Sequence, residues 1–336
     1  MWKVIKCAVQ GISHLDKGIP CQDKVYNLAK NGVTTIALAD GAGSAIFSHY
    51  GAELITRHIC EKLCQNFDSI FNNDDGINAK KNLVNDILEQ LELLAVDKRC
   101  QLNDLASTLL FVSVQDNRFI LAHIGDGTIG YLKDNELKTV EMKKKEGAVN
   151  ETFFTTSSNV LQQMQLIKGS LDTISGFVLM SDGTEASFYD KRKNLIADIV
   201  KKLMLMCDTH RCEVLEKVLL SSFESVIKHQ TADDCSIVFM YNGIDAISSW
   251  KNLSTDQLIS LLGLSLSQKS CYKDFKVCYN ILNLLTKKTC SCNMMYRMFH
   301  IKRKEKKDFF NRQLQRLQKM QLIAEIKEGV YSLFVN

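Results

Sequence analysis

Three apolar runs follow one another between Ser107 and Leu132 with only short polar breaks, which excludes most ways of folding this chain. They are Ser107–Val114, Arg118–Ile124 and Thr128–Leu132, with Asp116-Asn117 as a turn between the first two and Lys133–Glu136 as a polar turn after the third. Strands joined this tightly pair antiparallel, because a parallel crossover needs a dozen residues or more. Upstream, Val4–Val9 and Thr34–Ala39 read as strands. Two helices follow: Gly51–Phe67, with Leu54, Ile55, Ile59 and Leu63 in helical register, and Ala79–Val96, with Leu83, Ile87, Leu91 and Leu94. Downstream, Phe153–Thr156, Phe177–Met180 and Cys235–Tyr241 read as strands, and Leu195–Met206 and Cys212–Lys228 as helices. This is not a βαβ alternation. It predicts an α+β fold of antiparallel sheets covered by helical layers.

The bulk properties narrow the class. Apolar residues make up 46% and charged residues 24% of 336, the balance of a folded chain. Twelve cysteines contain no C-x-x-C pair, and most, such as Cys7, Cys60, Cys64 and Cys278, sit in apolar company. Reduced, packing thiols are therefore expected rather than disulfides or zinc ligands. The N-terminus MWKVIKCAVQG has no leader-like apolar core, and no run is long enough to span a bilayer, so a cytoplasmic location without a membrane partner is expected.

Four short sequences share a further pattern, an apolar strand meeting aspartate at its end. They are Ile36–Ala39 before Asp40-Gly41, Ala122–Gly125 before Asp126-Gly127, Phe177–Ser181 before Asp182-Gly183, and Asp233-Asp234 leading into Cys235–Met240. Any one of these is a plain turn more often than a ligand. Several converging strand ends would instead gather hard oxygen ligands that repel one another until divalent cations neutralise them. Mg2+ and Mn2+ suit such a site, and two of them can hold a bridging water and orient it for attack on phosphorus. Gly41 would leave its own carbonyl unobstructed as a further ligand.

With Gly11–His14, Gly18–Asp23, Ala39–Ser44, Ala106–Leu109, Ile124–Gly127, Met180–Gly183 and Asp233–Ile237, residues 1–242 resemble the bacterial branch of the type-2C metal-dependent protein phosphatases. The resemblance implies a four-layer α-β-β-α sandwich and hydrolysis of phosphoserine and phosphothreonine in proteins, with a cognate Ser/Thr kinase supplying the substrate. It implies two core Mn2+ or Mg2+ ions, with Asp40 bridging them and the Gly41 carbonyl on one. Asp182 and Asp233 would hold the other ion, and Asp23 would contact a metal or its water. Asp126, with Asp182, would hold a weaker third ion, whereas Asp234 reads as a structural neighbour. Ser107-Thr108 would support the metal loops.

Departures from the family pattern matter. The arginine that many members carry before the Asp23 position is absent from His14–Gln22. His14 or Lys17 is left to supply positive charge, which makes Asp23, Asp40 and His14 the catalytic candidates. Neither offers the bidentate fork of a guanidinium. Ala42 stands where some relatives have a histidine, and His49 reads as a helix-face bystander. Cys21 and Cys235 read as packing thiols beside the site. A catalytically weak phosphatase-like signalling module, or a DNA-binding regulator acting through the C-terminal domain, is the alternative.

After Gly243 the character changes, and a boundary is expected near residue 245, with Ser248-Ser249 in the connection, giving domains 1–244 and 245–336. Leu258–Leu266 and Phe275–Leu285 are leucine-rich helical stretches. A short helix at Cys292–Phe299, a basic one at Glu305–Met320 and a hairpin of Leu322–Ile326 with Val330–Val335 follow, the order of a winged helix. In the basic helix Phe309, Phe310, Leu314, Leu317 and Met320 form the apolar register, and Lys306, Lys307, Arg312, Arg316 and Lys319 fill much of the rest. A protein partner or autoregulation and DNA binding through phosphate contacts both stay open, since the net charge of +4 is too small to require nucleic acid.

Overall fold

The computed structural model describes residues 2–141, 152–207, 210–243, 254–265, 270–286, 288–320 and 322–333. In chain order the first unit contains β1 (Lys3–Val9), α1 (Ile12–Lys17), β2 (Lys24–Lys30), β3 (Val33–Ala39), α2 (Ser48–Phe71) and α3 (Gly76–Lys98). Next come β4 (Leu109–Gln115), β5 (Arg118–Ile124), β6 (Thr128–Lys133), β7 (Glu136–Thr139), α4 (Val160–Gln163), β8 (Gln165–Ser170) and β9 (Ile174–Met180). It closes with α5 (Asp182–Phe188), β10 (Tyr189–Asp190), β11 (Leu195–Ile196), α6 (Asp198–Met206), α7 (Cys212–Ser225) and β12 (Cys235–Tyr241).

The long strands form two five-stranded antiparallel sheets, ordered β1-β12-β9-β6-β7 and β2-β3-β4-β5-β8. Turn chemistry fixes the tightest hairpins: Asn31-Gly32 and Asp134-Asn135 each place two successive residues at positive φ, the turn whose twist matches that of the strands. Between the sheets, Ile36, Leu38, Leu110, Val112 and Leu121 meet Ile129, Phe177, Leu179, Val238 and Met240. The alternate residues Ala37, Ala39, Phe111, Ile120 and Ala122 face the other way, under Ile55, Ile59 and Leu63 of α2 and Leu83, Ile87 and Leu91 of α3. Strands buried on both faces explain why these segments read as continuous apolar runs rather than alternating ones. On the far side α7 packs on β1 and α5 against β12, completing helices on both outer faces of the paired sheets.

Several elements differ from expectation. Phe153–Thr156 is not a strand: Ser157 Oγ accepts the Phe154 N–H at 2.9 Å and bends the chain, leaving a single ladder-like bond from Thr155 N–H to the Ser107 carbonyl at 2.8 Å. Leu195 does not begin a helix. With Asn194 at φ 55° the chain reverses, Leu195–Ile196 pair with Tyr189–Asp190, and the helix starts at Asp198. The helix from Cys212 stops at Ser225, because Val226 (φ −129°) leaves helical space. Strands β2, β7 and β8 have no counterpart in the sequence reading.

Contacts make Met1–Leu205 with Cys212–Gly243 one compact unit, and most of the remaining chain a second. The second contains α8 (Thr255–Leu261), α9 (Cys271–Leu285), β13 (Cys290–Ser291), α10 (Cys292–Met298), α11 (Lys304–Lys319), β14 (Ile323–Lys327) and β15 (Val330–Leu333). Its sheet is ordered β13-β15-β14, and Leu258, Leu262, Cys278, Ile281, Phe310, Leu314 and Leu317 share its core. Phe309, expected in that core, is only half-buried, and Lys273 Nζ lies 4.7 Å from its ring centroid. Ser248-Ser249 and Val335 lie outside the described residues. The twelve cysteines are free thiols, and no helix among the described residues is long and apolar enough to cross a membrane.

Candidate active site

Register brings the aspartates to one edge of the sandwich. Asp40 follows β3, whose last residue Ala39 pairs with Lys24, so Asp23 and Asp40 flank one end of a hairpin. Asp182 follows β9, and Met180 pairs with both Ile237 of β12 and Thr128 of β6. Asp233 therefore precedes β12, and Asp126 precedes β6, at that same end.

The cluster is electrostatically costly. Asp23 is 1% exposed, and neither of its carboxylate oxygens has a hydrogen-bond partner. Burial pushes its pKa up to about 7, and the charge of Asp234 adds to the rise. Asp40 is driven well above the ordinary carboxylate range, first by burial and then by the charges of Asp23, Asp182 and Asp233. Asp182 is raised by burial, Asp126 and Asp233, and its Oδ1 is also buried without a partner. Thr108 fixes the backbone of Asp40: the Asp40 N–H donates to Thr108 Oγ1 at 2.9 Å, and the Thr108 N–H donates back to the Asp40 carbonyl at 2.8 Å.

Asp234 is a strut. Its Oδ1 accepts the Gly11 N–H at 2.7 Å and its Oδ2 the Gln22 N–H at 2.5 Å, tying both N-terminal loops to the start of β12. His14 Nδ1 lies 3.0 Å from the same Oδ1, with the ring 12% exposed. The ligand-type atoms of His14, Asp233 and Asp234 all fall within 4.8 Å of one another, so His14 does border the site. Lys17 is exposed on α1.

Gly41 is constrained by more than its carbonyl. A Cβ there would come within 2.7 Å of Ser48 Oγ and 2.9 Å of Gln22 Cβ. Gln22 in turn donates to Ser48 Oγ at 2.6 Å, and its carbonyl accepts the Gly41 N–H at 3.3 Å. This cradle carries no local signal in the sequence. A second feature missed there is Glu185, buried on α5, which accepts the Thr128 hydroxyl and holds Lys191 Nζ at 2.6 Å. Its i+3 spacing from Asp182 was a usable hint; Lys191 had none. Asp126 is exposed and accepts the Thr152 hydroxyl at 2.6 Å. His49 packs against Tyr50, the ring centroids 4.1 Å apart and the planes tilted by 39°. Burial, then nearby carboxylates, raise the Cys21 thiol and take Cys235 up to about 12, so neither is a ready thiolate.

Among solved structures, the serine/threonine phosphatase Stp1 from Staphylococcus aureus superposes with a TM-score of 0.50 at 14% identity, over 72% of this chain and 96% of that one. A C. elegans sex determining protein gives 0.53 at 13%, over 74% and 66%. At such identities the likeness is one of fold. No curated protein matches the chain. Residues 10–220 match the family model described as protein phosphatase 2C, a span that includes Asp23, Asp40, Asp126 and Asp182. With that match over most of its length, the chain belongs to the protein phosphatase 2C family and is by class a serine/threonine phosphatase, a hydrolase.

Proposed function

We propose that residues 1–244 hydrolyse phosphoserine and phosphothreonine in proteins, with two Mn2+ or Mg2+ ions held by Asp23, Asp40, the Gly41 carbonyl, Asp182 and Asp233. The observation that carries this reading is the pair of buried, unpartnered oxygens on Asp23, joined by Asp182 Oδ1. Buried polar atoms are rarely left unsatisfied, and a mutually repelling carboxylate set is tolerable where cations complete it. When bound, such ions supply Lewis acidity that activates a water and polarises the phosphoryl group.

The protein's own part is placement. Asp40, its backbone locked by Thr108, is one of the carboxylates that would hold the ions. Asp234 positions the loops that carry His14 and Asp23. His14, whose ring borders the site with Nδ1 3.0 Å from Asp234 Oδ1, is the side chain nearest to the place of the missing guanidinium and would contact the substrate phosphate there. Substrates are phosphorylated proteins made by a Ser/Thr kinase. The absence of an arginine favours the second reading, a catalytically weak signalling module, which would bind Mn2+ without turnover.

A phosphothreonine peptide should be hydrolysed by the full chain with Mn2+, and chelation should abolish this. Activity indifferent to chelation ends the metal reading. Thermal stability adds a pH signature. Without metal, the raised pKa of Asp23 means that protonation favours the folded state. That contribution is complete below about pH 4, the unfolded value, and is lost as pH rises through about 7. Cations replace those protons, so the Mn2+-induced rise in Tm should be small at pH 5 and larger at pH 7.5.

For residues 245–336 we propose a winged-helix-like interaction module, supported by the order of helices ahead of the β14–β15 hairpin. A protein partner is favoured over DNA because one of the basic side chains of α11 is engaged internally: Arg316 donates to the Leu262 and Gly263 carbonyls at 3.4 and 3.2 Å. Salt-dependent binding of duplex DNA by the full chain, lost on replacing Lys306 and Lys307 by alanine, would reverse that order.

A further inference from the structure

The position beside Asp126 is furnished differently from the rest of the carboxylate cluster. Helix α5 opens at Asp182 and carries Glu185 one turn on, where it is 2% exposed. Glu185 Oε2 lies 2.6 Å from Lys191 Nζ, and Oε1 accepts the Thr128 hydroxyl. Lys191 sits in the turn between β10 and β11, a turn braced by Asp190 Oδ1, which accepts the Arg192 and Lys193 N–H groups at 3.0 and 3.2 Å. Asp126, Thr128, Glu185 and Lys191 line one open cavity of about 600 Å³. Asp126 already accepts the Thr152 hydroxyl, so part of its ligand capacity is spent.

We propose that Lys191, tethered by the buried Glu185, is a built-in cation beside Asp126 whose charge takes the place of a third metal ion that Asp126 and Asp182 would otherwise hold. The centre then takes two divalent ions rather than three. This proposal rests on the two-ion reading above.

The charges support it. The close ion pair with Glu185, with the fields of Asp182 and Asp126, raises the pKa of Lys191 above that of an ordinary lysine, so the ammonium stays charged. A fixed positive charge lowers the attraction of those same carboxylates for a divalent cation. Lys191 is 66% exposed, so solvent screens part of its field, and the short tether is what keeps the charge in place. Burial raises the pKa of Glu185 despite Lys191 and Thr128. Removing Lys191 therefore leaves a buried carboxylate that must either take a proton or recruit a cation.

The test is the number of Mn2+ ions bound per full-length chain, read by equilibrium dialysis with detection of free Mn2+ by electron paramagnetic resonance. Two ions are expected for the wild-type chain and for Lys191→Arg, which keeps the charge. Three are expected for Lys191→Met, the third binding more weakly than the first two. Lys191→Gln, which retains a donor for Glu185, serves if the Met variant does not fold, and the same gain is expected. Three ions on the wild-type chain, or only two on the Met and Gln variants, would overturn the proposal. A wild-type chain that binds no Mn2+ overturns the two-ion reading itself, and this proposal with it.

Discussion

Asp40→Asn is expected to abolish hydrolysis and, in the metal-free chain, to raise the melting temperature. The two effects have one cause. Asp40 is held among Asp23, Asp182 and Asp233, and burial with their charges drives its pKa well above that of a free carboxylate. The side chain is thus kept in a site that disfavours its charge. Asparagine removes that charge, keeps nearly the same volume, and leaves untouched the backbone hydrogen bonds between residue 40 and Thr108.

Relief of repulsion in a buried cluster is on the order of 1–3 kcal/mol. For a unit of this size that corresponds to a rise of roughly 2–4 °C per kcal/mol. Adding Mn2+ should reverse the ranking. A ligand that binds only the folded state stabilises by about 2.7 kcal/mol at one hundred times its Kd, and the variant lacks one of the carboxylates proposed to hold the ions. Loss of one electrostatic stabiliser of a transition state costs roughly 10²–10³ in rate, and the loss here should reach at least that. Calorimetry with and without Mn2+, beside a phosphopeptide assay, checks both arms. A variant that is less stable without metal and still active would remove Asp40 from the centre of the site.

Legibility in the sequence followed burial. Strands β3, β5 and β12 were readable nearly to the residue because both of their faces are packed, which keeps their central residues apolar. Strands β2 and β8 were missed for the opposite reason. They lie at the two edges of one sheet, half-exposed, with Lys24, Lys30, Lys168 and Ser170 breaking the apolar pattern. Phe153–Thr156 misled because its apolar residues suited a strand, whereas the serine that bends it lies beyond the run.

The aspartates were legible because each is a local event, a carboxylate at the end of an apolar run. What surrounds them was not. The Gln22–Ser48 cradle under Gly41 spans 26 residues, and the strut from Asp234 spans more than 200. Such partners are chosen by register, which no short window of sequence contains. Phe309 shows the same limit: helical spacing marks an apolar face, but not which part of it the neighbouring helix covers.

Asp234→Leu is expected to destabilise the chain strongly, with or without metal, although the acid it removes lies next to Asp233. Asp234 is 1% exposed, and each of its oxygens already serves a backbone N–H, that of Gly11 at 2.7 Å and that of Gln22 at 2.5 Å. Leucine would leave both donors buried without acceptors, at about 1–3 kcal/mol each. The total, roughly 2–6 kcal/mol, corresponds to a fall in Tm on the order of 10 °C. Asp234→Asn keeps one oxygen but turns an amide toward one of the two donors, so about half that loss is expected. Hydrolysis should fall in both variants, since the Gln22 N–H that Asp234 holds is one residue from Asp23. The sign in the absence of metal is what separates the two roles. A carboxylate kept for cations stabilises the empty fold when it is neutralised, whereas one kept as a strut weakens it. If metal-free Asp234→Leu melts no lower than the wild-type chain, Asp234 belongs with the ligands, and the loops carrying His14 and Asp23 must be held by other contacts.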